Sequence, residues 1–89
     1  MMKATLDARS TPTCGAFHRA VKEALGFPDW YGGNLDALYD CLTDLPAGTE
    51  LEITHFEALS EHLGAAYAGR IRRVLCDAAA AGRFSWTEA

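Results

Sequence analysis

The chain has no long apolar run. Its longest purely apolar stretches, such as Ala78 to Ala81, are four residues. A bilayer crossing needs about 20, so no membrane partner is expected. The start, Met1-Met2-Lys3-Ala4-Thr5-Leu6-Asp7, places an acid where a secretion signal would need an apolar stretch. A cytoplasmic location is expected. No excess of positive charge is present: eight Lys and Arg face twelve Asp and Glu, for a net charge of −4. A nucleic-acid ligand is disfavoured, because phosphate neutralisation needs a basic patch. A basic protein partner suits the balance better.

Cysteine is sparse and unpaired in pattern. Cys14, Cys41 and Cys76 are odd in number and lie far apart, without a C-x-x-C. Neither a disulfide framework nor a zinc ribbon is indicated. His18, His55 and His62 form no H-x-x-x-H pair, so no metal and no cofactor is expected. The expectation is three reduced, mostly buried thiols and three surface or capping histidines. No repeat, low-complexity tract or linker divides the chain, and residues 1–89 read as one domain. At 89 residues and 49% hydrophobic content, it is too apolar for a disordered acidic tail.

Three segments alternate with the period of a strand: Lys3 to Asp7, Glu50 to Thr54 and Arg83 to Thr87. Their inward sets are Ala4 and Leu6, Leu51 and Ile53, then Phe84 and Trp86, with the last pair read as core. Four helical stretches lie between them. Thr13 to Leu25 carries Phe17, Val21, Ala24 and Leu25 at helical spacing and stops at Gly26 and Pro28. Asn34 caps a helix running to about Asp44, with Leu35, Leu38, Cys41, Leu42 and Leu45 as its core stripe. Thr54-His55-Phe56-Glu57 reads as a capping box opening a third helix that ends near Gly64. A fourth, Ala65 to Ala81, repeats Tyr67, Ile71, Val74, Leu75 and Ala78 and stops at Gly82. The order is β-α-α-β-α-α-β. Helical connections favour parallel pairing, and one buried sheet face favours a two-layer α/β fold. Strand order stays open.

The second helix carries the functional signal. At 100° per residue, Asp36, Tyr39, Asp40, Thr43 and Asp44 share an arc of roughly 140° opposite the leucines. Like charges at i, i+4 cost roughly 0.2–0.5 kcal/mol per pair. Asp40 and Asp44 also sit toward the negative end of the helix dipole. No Lys or Arg occurs between Asp29 and Asp44 to relieve them. A plain solvated acidic face is one reading. The other is an interface, favoured by outward Tyr39 and by Trp30 and Tyr31 beside Gly32 and Gly33, since aromatics ringed by polar groups mark interface centres. The glycine pair lacks the lysine and spacing of a phosphate loop and reads as a tight turn allowing close backbone approach. Asp36 and Asp40 are near the separation of a hydrolase carboxylate pair. A convex helix face, however, gives no pocket to shift a pKa, so a non-enzyme is expected. Asp77 reads equally as a solvated helix residue or as part of the interface, and Cys41 as core packing.

The run Trp30-Tyr31-Gly32-Gly33-Asn34-Leu35-Asp36-Ala37-Leu38-Tyr39-Asp40-Cys41-Leu42-Thr43 resembles the signature of the barstar family, intracellular inhibitors of a secreted microbial ribonuclease. Looser similarity includes Leu25, Pro28, Phe56-Glu57 and the Ala-Gly end of the last helix. The resemblance implies a three-stranded parallel sheet with helices and one-to-one occlusion of a basic cognate ribonuclease, protecting host RNA. It implies that Asp40 occupies the substrate-phosphate site, paired with the enzyme's arginines and catalytic histidine, with Asp36 adding ion pairs. Trp30, in place of the family's tyrosine, would stack on that histidine. Gly32 and Asn34 would give close backbone and amide contacts, and Tyr39, Thr43 and Asp77 would lie at the rim. Four positions depart from the pattern. Tyr39 replaces a tryptophan, Asp44 a glycine, Leu45 an outward tryptophan and Ala81 a late glutamate. The alternative is an immunity protein (antitoxin) or regulatory protein of the same fold that binds a non-ribonuclease toxin or other partner.

Overall fold

A computed structural model describes residues 3–82 and 84–88. Three parallel strands form one sheet: β1 (Lys3–Asp7), β2 (Thr49–Thr54) and β3 (Phe84–Glu88), in the order β1-β2-β3. The strand order, open from sequence, places β2 centrally. The register sets Leu6 beside Ile53 and Leu51 beside Trp86. Alternation then puts Ala4, Leu6, Leu51, Ile53 and Phe84 on the covered face. Lys3, Thr5, Glu50, Ser85 and Thr87 stay exposed. One sheet face is buried and the other is wet, as period-2 patterning requires. Arg83, expected to begin the third strand, lies outside the described residues.

Helices α1 (Cys14–Leu25), α2 (Leu35–Thr43), α3 (Glu57–Leu63) and α4 (Ala65–Ala80) fill the connections in the expected order, with a short 3₁₀ turn at Ala8–Ser10 that periodicity did not signal. The side chain of Thr13 accepts from the Ala16 amide at the start of α1, and Gly26 closes that helix in the left-handed region at φ 68°. A glycine suits this position because it carries no Cβ to clash there. Phe17, Leu38, Leu42, Leu51, Ile53, Leu59, Ile71 and Leu75 form the fully buried centre. Cys41 and Leu45 join it, whereas Leu35 is only partly buried.

Four expectations need correction. The capping box at Thr54 does not form. Thr54 is the last residue of β2, paired with Asp7, and its hydroxyl donates toward the Leu6 carbonyl at 3.5 Å. The chain turns at His55, whose φ is 57°, and α3 begins at Glu57 after Phe56, which makes no side-chain cap. Pairing in the sheet holds Thr54 extended and spends its hydroxyl there. Trp86 is half-buried rather than core. It lies on an edge strand, packs against Phe56 at 5.8 Å between ring centroids and is flanked by the Arg72 guanidinium. Only one of the three thiols is buried: Cys41 is inside, while Cys14 and Cys76 are exposed. His18 is neither a surface nor a capping residue, since it is 3% exposed within α1.

Candidate functional site

The segment from Trp30 to Asp44 is held from both ends. A backbone turn closes from the Tyr31 amide to the Pro28 carbonyl. The side chain of Asn34 accepts from the Ala37 amide at 2.8 Å, satisfying one of the free donors that begin α2. Gly33 sits at φ 68°. A Cβ on Gly32 would come within 3.2 Å of Asn34 Nδ2, the amide group of the capping side chain. The loop therefore turns sharply into a capped helix, and its backbone is bare at the turn.

Tyr31 ties this loop to the body. Its hydroxyl lies 2.5 Å from His18 Nδ1 on α1, and the other ring nitrogen of His18 lies 2.7 Å from the Tyr67 hydroxyl on α4. A neutral imidazole has one donor and one acceptor nitrogen, so each hydroxyl finds a complement. The Tyr31 ring also packs on Phe27 at 5.0 Å. Burial lowers the His18 pKa and raises those of both tyrosines, because desolvation disfavours each charged form. Sequence reading missed this clamp. The signal was present: His18 stands three and seven residues before Val21 and Leu25, on the same buried stripe.

The opposite surface of α2 is polar and free. Asp36, Asp40 and Asp44 are exposed. Among the described residues the ion pairs are Arg9–Asp7, Lys22–Asp29, His55–Glu57 and Arg72–Glu88, and none includes these three. Asp36 lies in the first turn of α2, and no basic residue occupies the last. Asp44 follows the helix as its cap, its amide donating to the Asp40 carbonyl at 3.2 Å. Thr43 is partly buried and its hydroxyl donates to the same carbonyl at 3.0 Å. Trp30, 62% exposed, and Tyr39, 39% exposed, are the large apolar side chains left in water among the described residues. Both belong to this segment.

The structure thus gathers Trp30, Gly32, Asn34, Asp36, Tyr39, Asp40 and Asp44, all exposed, on the loop and α2, with half-buried Tyr31 anchoring the loop to α1. Asp77 is apart in sequence, exposed on α4, the helix that packs against α2. Two clefts flank the segment. One of about 450 Å³ involves Trp30, Asp44 and Leu45, and one of about 250 Å³ lies beside His18, Tyr31 and Gly32. Asp36 and Asp40 line neither. A carboxylate pair outside a cleft lacks the desolvation that a general acid requires. The acidic face of α2 is convex and exposed.

The chain matches the family model described as Barstar (barnase inhibitor) over residues 1–86. It is 41% identical over 81 residues to the Bacillus subtilis (strain 168) protein named "Putative ribonuclease inhibitor YrdF"; the alignment covers 88% of this chain and 86% of that protein.

Proposed function

Because the chain belongs to the barstar family, we propose that it is a non-catalytic inhibitor that occludes the active site of a basic microbial ribonuclease with α2 and the loop before it. The observation that carries this reading is the pairing of exposed carboxylates with exposed aromatics on α2 and the loop before it. Asp36 and Asp40 have no ion-pair partner among the described residues, and Trp30 and Tyr39 carry apolar area that the described fold leaves exposed.

A ribonuclease cleft is concave and cationic because it binds phosphodiesters. Carboxylates one helical turn apart, about 5.4 Å along the axis, offer anionic oxygens at a spacing comparable to successive phosphates. Asp40 takes the central position, bonded to arginines that would otherwise hold phosphate, and Asp36 adds a second set of ion pairs. Trp30 stacks on a ring in the enzyme, and Gly32 and Asn34 bring backbone and amide groups close. Tyr39, Thr43, Asp44 and Asp77 form the rim. The loop is already held by Asn34 and Tyr31, so docking orders little chain and costs little entropy. Acting one-to-one inside the cell, such an inhibitor shields host RNA before the enzyme is exported.

The test is inhibition of a purified barnase-type ribonuclease by the native chain and by Asp40→Ala and Asp36→Ala. Both variants should fold, and Asp40→Ala should lose about 3–5 kcal/mol of binding, as enzyme cations become buried without a partner. Full inhibition by both variants would overturn the assignment.

A further inference from the structure

The larger cleft beside the helix has a chemistry that the acidic face does not explain. It opens between the turn after α1 and the C-terminal end of α2, with a volume of about 450 Å³. Leu25, Phe27, Trp30, Cys41 and Leu45 make it largely apolar, and Asp44 is the one charged side chain among its described lining residues. Asp44 has no ion-pair partner among the described residues. An exposed indole and an unpaired carboxylate therefore line the same concavity.

An apolar guest would fill the walls but strip water from the carboxylate without replacing it, which is costly. A lysine would supply charge as a compact, strongly hydrated point. An arginine meets every wall. Its aliphatic stem lies along leucine, its guanidinium plane stacks on an indole, and its paired N–H groups bond both carboxylate oxygens. A volume within the range of small-ligand pockets, roughly 300–1,000 Å³, also admits the backbone turn that carries such a side chain.

We infer that this cleft is a specificity subsite for an arginine on a surface turn of the partner enzyme, with the cleft-facing side of the Trp30 indole as its stacking wall, the opposite face being left for the enzyme's ring, and Asp44 as its anion. Leu45 contributes from the buried side, and its burial keeps the floor apolar. The inference rests on the proposed inhibitor role only for the identity of the protein that carries the arginine. It makes the C-terminal end of α2 the place where one ribonuclease is told from another, while Asp40 engages what all of them share.

The subsite is tested without the enzyme, by heteronuclear NMR titration with N-acetyl-arginine methylamide. Saturable shifts of the Trp30 indole and the Leu25 and Leu45 methyl resonances are expected. The lysine and norleucine analogues should bind more weakly, and Asp44→Asn should weaken the arginine analogue about tenfold, as a charge-assisted pair is lost. Trp30→Ala should weaken it too, with an unchanged circular dichroism spectrum. Equal shifts with norleucine, or indifference to Asp44→Asn, would overturn the subsite. Inhibition assays separate the two readings. If Asp40→Ala abolishes inhibition but arginine does not enter the cleft, the subsite falls and the inhibitor role stands. If arginine binding depends on Asp44 while no barnase-type ribonuclease is inhibited, the role falls and the subsite stands.

Discussion

Tyr31 reaches back from the exposed loop to His18 on α1, with 2.5 Å between its hydroxyl and Nδ1. This bond joins the proposed recognition surface to the hydrophobic interior. The loop's other tethers include a turn at Pro28, the Asn34 cap, the Lys22–Asp29 ion pair and the packing of Tyr31 on Phe27. Its conformation therefore depends on a contact made 13 residues away in sequence.

Tyr31→Phe removes the hydroxyl and leaves a buried imidazole nitrogen unpaired. Such an orphan costs about 1–3 kcal/mol. Urea denaturation should show a lower midpoint with an unchanged slope. Inhibition should weaken with it, because the loop must be ordered at docking.

Acidification should weaken the fold through the same histidine. Burial depresses the folded-state pKa of His18 below the ordinary imidazole value. Neutral His18 therefore contributes fully above about pH 6.5, the unfolded value, and the contribution is lost as pH falls toward the folded value. Thermal melts from pH 7.5 to pH 5 should fall more steeply for the native chain than for His18→Gln. Asp7 titrates in a separate, lower window. Hydrogen bonds from the Arg9 side chain and amide take its pKa from 3.8 to about 2, so its part persists above about pH 4 and is lost only as pH falls toward 2.

Asp40→Ala should not destabilise the free protein. The change removes like-charge pairs with Asp36 and Asp44, each worth roughly 0.2–0.5 kcal/mol, and alanine is the better helix former. A melting temperature equal to or above that of the native chain, together with lost inhibition, is the expected outcome. A drop in melting temperature would show that the carboxylate serves the fold.

Asn34→Ala removes the acceptor for the Ala37 amide and should cost about 1 kcal/mol. Asn34→Asp should keep most of that stability, since a carboxylate also caps and suits the helix N-terminus. Chemical denaturation of both variants checks the ranking.

The cysteines should react in two classes. Cys14 and Cys76 are exposed, whereas Cys41 is buried and its thiol pKa is raised by desolvation. A thiol reagent should modify two groups quickly in the native state and the third only on unfolding.

The parts of this protein written into local order are those whose cause is local. The spacing of Phe17, Val21 and Leu25 commits α1 to one buried stripe, and Asn34 before Leu35 starts α2. The acids at 36, 40 and 44 must share a face because 3.6 residues make a turn. The alternation of Leu51 and Ile53 likewise commits β2 to one covered side. None of this needs a distant partner, so the exposed acidic face of α2 was readable from residue spacing.

Other features depend on segments that meet only in the folded chain. Thr54 is drawn into the sheet by pairing with Asp7, which overrides its local capping signal. Trp86 is left half-covered because β3 is an edge. His18 can be buried because Tyr67, 49 residues away, supplies its second hydrogen bond. The cleft between Trp30 and Asp44 exists because the turn after α1 and the end of α2 come to rest beside each other. Periodicity reports which way a side chain faces along its own element. It carries no record of which hydroxyl or wall a remote element will bring against it, and that is settled by packing.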